Sequence, residues 1–193
     1  ALTSVQESIK NPAVTSDVNV IGTLRVLEAA RKFRAERVVF ASSAAVYGVP
    51  SSFPIKENAS LAPISPYGAS KAASELYCTA FEENHGIEAV SLRYFNLYGP
   101  RQASNQYSGV ISIFARRLLQ GLPLTIFGDG SQTRDFLFVE DAVHATIAAL
   151  EKSTLRGRVF NIASGKETRI LEVAQTMKKI AGMRSAPRFE PRR

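Results

Sequence analysis

Two short stretches constrain the fold most: Arg37-Val38-Val39-Phe40-Ala41-Ser42 and Ala89-Val90-Ser91-Leu92-Arg93-Tyr94-Phe95. The first is a continuous apolar run with no polar alternation, as expected of a parallel strand covered on both faces. The segment before it, Val14 to Phe33, sets Val18, Ile21, Leu24, Val26, Leu27 and Ala30 at helical spacing. A Pro- and Ser-rich loop over 49–65 separates the two runs, then a helix from Pro66 to His85 that Gly86 stops. Helix, strand, loop, helix, strand is the rhythm of an α/β fold with a doubly wound parallel sheet.

After Gly99-Pro100 the pattern changes. A polar loop runs to Ser108, Val110 to Gln120 reads as a helix ended by Gly121, and Leu124-Thr125-Ile126-Phe127 reads as a strand entering the turn Gly128-Asp129-Gly130-Ser131. A strand over Phe136–Val139, a helix from Glu140 or Asp141 to Glu151 and a strand over Val159–Ala163 follow. Thr168 then caps a last helix, Ile170 to Ala181, closed by Gly182. The arginine-rich tail reads as extended, with no element to pack against. The expected organisation is 1–98 as the main sheet domain and 99–193 as mainly a small interleaved subdomain, with 135–163 returning to the sheet.

The chain of 193 residues is 45% hydrophobic, enough for one domain or one and a half. The formal net charge is +7. Nucleic acid, a phosphorylated small molecule and a solvated surface are all compatible with that sign. The basic residues are dispersed, apart from Arg184, Arg188, Arg192 and Arg193, and no aromatic-basic interleaving typical of RNA platforms occurs, so a nucleic-acid partner is not expected. Cys78, the one cysteine, excludes a disulfide framework and fits a reducing compartment. No apolar run nears the roughly 20 residues that span a bilayer, and no signal peptide opens the sequence, so a cytoplasmic protein without a membrane partner is expected. No His, Cys and carboxylate spacing suits a metal.

Chemistry concentrates in Ser65-Pro66-Tyr67-Gly68-Ala69-Ser70-Lys71 and Ala41-Ser42-Ser43-Ala44-Ala45-Val46-Tyr47-Gly48. Tyr67 and Lys71 lie one helical turn apart, on one face. A lysine beside a phenol favours the phenolate, lowering a pKa that starts near ~10. With a hydroxyl nearby, that group is equipped to take a proton from an alcohol as hydride leaves the same carbon. Ser43 follows one strand, Tyr67 opens the next helix and Tyr94-Phe95-Asn96 ends the following strand, so all three fall on the carboxyl edge where open parallel sheets bind ligands.

These residues resemble a family. Ser-Ser-x-x-Val-Tyr-Gly, Ser-Pro-Tyr-x-x-Ser-Lys, Leu-Arg-Tyr-Phe-Asn-x-Tyr-Gly-Pro-Arg and Phe-Gly-Asp-Gly-x-x-x-Arg-Asp-Phe, in that order, look like the extended short-chain dehydrogenase/reductases. Within these the resemblance is to the NAD-dependent sugar-nucleotide epimerase/dehydratase group, nearest the UDP-hexose 4-epimerases. It implies a Rossmann-like domain, NAD as cofactor and a UDP-sugar as substrate. Tyr67 would be the base for the sugar O4 proton, Lys71 would hold the nicotinamide ribose and depress the pKa of Tyr67, and Ser43 would relay the proton. Asn19, Ser42, Tyr94 and Phe95 would lie at the cofactor. Asn96 and Arg134 would bind the diphosphate, Leu124, Thr125, Ile126 and Phe127 would flank the uracil, and Arg192 or Arg193 would add a phosphate contact. The mechanism the resemblance implies is transient oxidation: hydride would pass from C4 to the cofactor, the 4-keto sugar would turn over, and hydride would return on the other face. The family's homodimer would pair the helices over 14–33 and 66–85.

Ala44-Ala45 stands where the resembling 4,6-dehydratases carry Asp-Glu, and two alanines transfer no protons, which favours epimerisation. Another sugar-nucleotide dehydratase or reductase, and a non-catalytic nucleotide- or RNA-binding protein of the fold, stay open. The family's opening strand and Gly-x-x-Gly-x-x-Gly turn have no counterpart in the sequence, so both ends read as cut and weak NAD binding by this chain alone is expected. Cys78 is expected to be a core thiol, His85 to meet helix-end carbonyls, His144 to be a packing or surface residue, and Glu57 to tie down the loop before Tyr67. Asp135 and Asp141 read as a turn partner and a helix start.

Overall fold

The computed structural model describes residues 1–102, 109–152, 155 and 158–191. The chain forms two compact units, one of Ala1–Phe95 with Ala142–Ile162 and the other of Asn96–Asp141 with Ala163–Arg193.

The first unit is built on a parallel sheet in the order β1-β2-β6, with β1 Arg37–Ser43, β2 Glu88–Tyr94 and β6 Val159–Ile162. Helices cover both faces, and the pleat of β2 distributes the packing between them. Ala89 joins Leu27 and Cys78 under α3 (Gly22–Lys32) and α4 (Pro66–His85), with Val38, Phe40 and Phe81 around them. Val90 and Leu92 point the other way, onto Ala149 of α6 (Val139–Glu151), with Val39, Phe160 and Ile162. This is the doubly wound arrangement read from the sequence.

Two features of the amino-terminal region differ from that reading. A first helix, α1 (Val5–Lys10), is capped by Ser4, whose hydroxyl accepts from Glu7 N. The helix expected over 14–33 begins at Pro12 and runs as α2 (Pro12–Ser16), a wider π turn (Asp17–Ile21) and α3. At the π turn the Asn19 carbonyl accepts from the side chains of Thr23 at 2.6 Å and Ser74 at 3.2 Å, which locks the helix to α4. α4 itself matches its reading: Ser65 caps it by accepting from Gly68 N, Pro66 opens it, and Gly86 ends it at φ 69°.

In the second unit, β3 (Asn96–Tyr98) runs parallel to β5 (Thr133–Phe138), and β5 runs antiparallel to β7 (Glu167–Arg169). Of the stretch 135–163, β6 therefore joins the β1-β2 sheet whereas β5 pairs with β3 and β7. The arginine-rich tail is not unpartnered: Arg188–Glu190 forms β8, parallel to β4 (Thr125–Phe127), a pairing set by a distant segment. Phe114 of α5 (Val110–Leu119), Leu124, Ile126, Ile170, Val173 and Ala174 of α7 (Ile170–Ile180) form the unit's core.

Candidate active site

Tyr67 stands in the first turn of α4, and Ser43 is the last residue of β1, where the chain leaves the strand for a 3-10 turn over Ala44–Tyr47. The Ser43 hydroxyl lies near enough to the Tyr67 phenol to oppose the rise that burial causes in its pKa. Ser43 Oγ accepts from Ala45 N at 3.2 Å, which leaves its own proton for the phenol oxygen. Gly68 makes the approach possible: a Cβ there would lie 2.5 Å from Ala45 O and 3.0 Å from the Pro63 Cβ. Tyr67 N donates to Ser8 Oγ at 3.1 Å, so α1 also holds the start of α4.

Lys71 is buried one turn further along, donating to Ala41 O at 2.8 Å with its ammonium 4.9 Å from the Phe40 ring centroid. Burial pushes its pKa below the ordinary lysine value. The lowering expected of Tyr67 is reversed here. Burial raises the Tyr67 pKa above 10.0, with the Ser43 hydrogen bond opposing it, because the Lys71 ammonium is directed to the Ala41 carbonyl and Phe40. An ammonium has three donors, and the Ala41 bond uses one. The remaining donors suit a vicinal diol, so the residues present fit a cofactor ribose.

The other expected cofactor residues divide. Asn19 is 2% exposed and its amide is engaged, accepting from Leu2 N at 2.7 Å and donating to Leu2 O and Ser70 Oγ at 2.9 and 3.0 Å. It is a brace between the chain start and α4. Ser42, also buried, donates to Glu75. Tyr94 follows the pleat to the opposite face, where its hydroxyl bonds Thr146 of α6. Phe95 N extends the β2-β6 ladder by donating to Ile162 O at 3.1 Å. Of the cofactor set, the structure thus brings together Ser43, Tyr67 and Lys71.

In the second unit, Asn96, Thr125, Ile126, Phe127 and Arg134 line one cavity of about 230 Å³, with Tyr98, Gln132 and Phe136. Asn96 Nδ2 donates to Asp135 O at 3.0 Å, and the exposed Arg134 reaches back only to Thr133 O. Leu124 departs from the expected set. It is 1% exposed in the core and does not line the cavity, whereas Ile126, equally buried in the same core, does. Arg192 and Arg193 lie outside the described residues.

Sequence reasoning missed Glu75 and Arg93, a buried ion pair behind Ser42. The signal was present: an arginine inside an apolar strand and a glutamate on the Tyr67–Lys71 stripe each need an opposite charge. Of the secondary readings, Cys78 is buried, Asp135 binds Ser164 and Gly165 N–H groups as a turn partner, and Glu57 Oε1 holds Asn161 N at 3.0 Å. His85 packs edge-on against Phe81 at 4.9 Å instead of capping the helix. Among the described residues no cluster of His, Cys, Asp and Glu suits a metal, and no helix is long and apolar enough to cross a membrane.

A doubly wound parallel sheet with Ser43, Tyr67 and Lys71 near its carboxyl edge is an α/β arrangement of the Rossmann class. The chain belongs to the NAD dependent epimerase/dehydratase family, whose match spans residues 1–163. The UDP-glucose 4-epimerase of Mycolicibacterium smegmatis is 38% identical over 191 residues, 98% of this chain and 61% of that protein. The crystal structure of the UDP-glucose 4-epimerase of Thermotoga maritima with UDP-glucose superposes with a TM-score of 0.95 at 37% identity, covering 100% of this chain and 62% of that one. The UDP-glucose 4-epimerase of Thermus thermophilus in complex with NAD gives a TM-score of 0.88 at 39% identity, covering 99% of this chain and 62% of that one. The chain thus spans about 60% of the length of the relatives it matches.

Proposed function

We propose that the chain carries the catalytic set of an NAD-dependent UDP-hexose 4-epimerase, converting forms such as UDP-galactose and UDP-glucose. The observation that carries the reading is Ser43 at the end of β1 beside Tyr67 in the first turn of α4, with Lys71 one turn further along α4 and donating to Ala41 O of β1. When bound, NAD supplies reversible hydride acceptance at the sugar C4. Tyr67 takes the O4 proton as C4 is oxidised and returns it on reduction, and Ser43 hands it between phenol and sugar. Lys71 donates to the cofactor ribose hydroxyls and, with Ala41 O, fixes where Tyr67 stands. General-base help of this kind is typically worth ~10²–10⁴-fold.

Arg134 and Asn96 suit the diphosphate, and Thr125, Ile126 and Phe127 the uracil, since all five line one cavity. Ala44 and Ala45 lack the proton-transfer groups of elimination chemistry, which disfavours a dehydratase. The enzyme acts in the cytoplasm as a homodimer. Val14, Val18, Ile21 and Val26 on one helix and Leu76 and Tyr77 on α4 are exposed apolar side chains that such pairing would cover. The test is calorimetric titration of NAD and a UDP-galactose to UDP-glucose assay, on this chain and on a full-length protein. Conversion that survives Tyr67→Phe overturns the reading.

A further inference from the structure

Behind Ser43 and Tyr67 lies a buried polar network to which no role has yet been given. Glu75 and Arg93 are each about 4% exposed. Arg93 Nε donates to both Glu75 carboxylate oxygens at 3.0 and 3.2 Å, and Nη2 to Oε2 at 2.6 Å. Ser42 Oγ donates to the same carboxylate. Arg93 Nη1 donates to Tyr47 Oη at 2.7 Å and Glu57 O at 2.9 Å. Tyr47 in turn donates to Asn161 Oδ1 at 2.6 Å, and Asn161 Nδ2 to Ile55 O at 2.9 Å. One network therefore joins the ends of β1, β2 and β6 to α4, the 3-10 turn and the loop over 49–65.

An apolar pair of equal volume would fill this space without the desolvation cost of two charges, so packing alone does not account for them. What the charges add is direction. A carboxylate held by an arginine fork has a fixed plane, and Ser42 bonds to one of its oxygens. Ser42 adjoins Ser43, and Glu75 lies on the α4 stripe that carries Tyr67 and Lys71. The two elements that present the reactive hydroxyls are thus fastened to each other one step below those hydroxyls.

We propose that Glu75 and Arg93 are positioning residues: their ion pair holds the end of β1 against α4 and thereby sets where Ser43 stands relative to Tyr67. The inference rests on the reading of Ser43 and Tyr67 as the catalytic pair, but it concerns their geometry before any ligand arrives. Its experiment is therefore independent of turnover, and its failure leaves the epimerase reading to its own assay.

The readout is the ionisation of Tyr67 in the 193-residue chain, followed by tyrosinate absorbance and isolated by subtracting the Tyr67→Phe trace. Ser43→Ala sets the scale, since it removes one hydrogen bond to the phenol. Loss of one bond corresponds to roughly three- to tenfold in the ionisation constant. Ser42→Ala cuts only the link from β1 to Glu75. The paired replacement Glu75→Leu with Arg93→Met keeps the volume apolar and folded while removing every link through the ion pair. Both variants are expected to move Tyr67 in the direction of Ser43→Ala, with no further movement when combined with it, and with cooperative melting retained. Glu75→Gln, which keeps one acceptor oxygen but sets an amide N–H2 against the other donors, is expected to lie between the parent and the paired variant. Should the paired variant not fold, Ser42→Ala decides alone. An unmoved Tyr67 in Ser42→Ala, or a shift that adds to that of Ser43→Ala, overturns the proposal.

Discussion

Lys71 Nζ donates to the main-chain oxygen of Ala41 at 2.8 Å, two residues before Ser43, and so ties α4 to the end of β1. The ammonium is held in a buried place that lowers its pKa, a standing cost to the folded state. Replacing Lys71 by Met keeps the unbranched stem and removes both cost and bond. The expected change in folding stability is within ~1 kcal/mol, the size of one net hydrogen bond. Turnover of the full-length protein is expected to fall by at least ~10²-fold. Denaturant unfolding and the epimerase assay check the two halves. A stability loss above ~3 kcal/mol, beyond what one such bond supplies, would assign the ammonium to folding instead.

Tyr67 is held above its ordinary pKa by burial, so the phenol is neutral near pH 7 without ligand. Oxidised nicotinamide carries a positive charge, and an opposite charge nearby favours a phenolate. Saturating NAD is therefore expected to move the Tyr67 ionisation to lower pH in the full-length protein. Absorbance titration with and without NAD, each against Tyr67→Phe, measures the shift. An ionisation that NAD leaves in place would separate the phenol from the cofactor.

Gly68 faces the 3-10 turn so closely that a methyl group would lie 2.5 Å from a backbone oxygen. Backbone at that distance has to shift, and it carries Ala45, whose N–H holds Ser43 Oγ. Gly68→Ala is expected to destabilise by ~1–3 kcal/mol, the usual cost of overpacking. Ala69 is exposed on the same turn, so Ala69→Ser is a control with an effect within ~0.5 kcal/mol. Urea unfolding of both variants checks the difference.

What the sequence disclosed and what it withheld follow a physical line. α4 was legible from end to end because its signals are local: a Ser65 cap, Pro66 in the first turn and Gly86 in the left-handed region. β1 was legible because burial on both faces leaves an apolar run. β8 was not, since the short stretch Arg188 to Glu190 becomes a strand only through a partner far back in the chain, Thr125 to Phe127. The Ser43, Tyr67 and Lys71 set came from motif order, but the direction of Lys71 depended on the Ala41 carbonyl, which no spacing reveals. The direction of the Tyr94 side chain was hidden for a related reason. Strand alternation puts it on the face opposite its neighbour Arg93, and the motif gives both equal weight.

Cys78 sets the last prediction, through the alkaline limb of stability. Burial, with the Glu75 charge adding to it and a Ser91 hydrogen bond opposing, pushes its pKa from 9.0 to about 11. A raised folded value means that the thiol's contribution is whole below pH 9 and is lost as pH rises through 11, because the unfolded chain ionises first. Two units correspond to about 2–3 kcal/mol. Lys71 works in the opposite sense: its folded value is lowered, so its penalty is relieved as pH rises toward 10.5. Tyr67, raised by burial, adds a loss of the same sign as the thiol's. The wild-type slope therefore mixes the three, and the difference between wild type and Cys78→Ala isolates the thiol. Urea unfolding at about pH 8 and about pH 10.5, on either side of the unfolded thiol's ionisation, is expected to show a smaller alkaline loss in Cys78→Ala. Parallel losses in the two proteins would mean that the thiol ionises alike in the folded and unfolded chains.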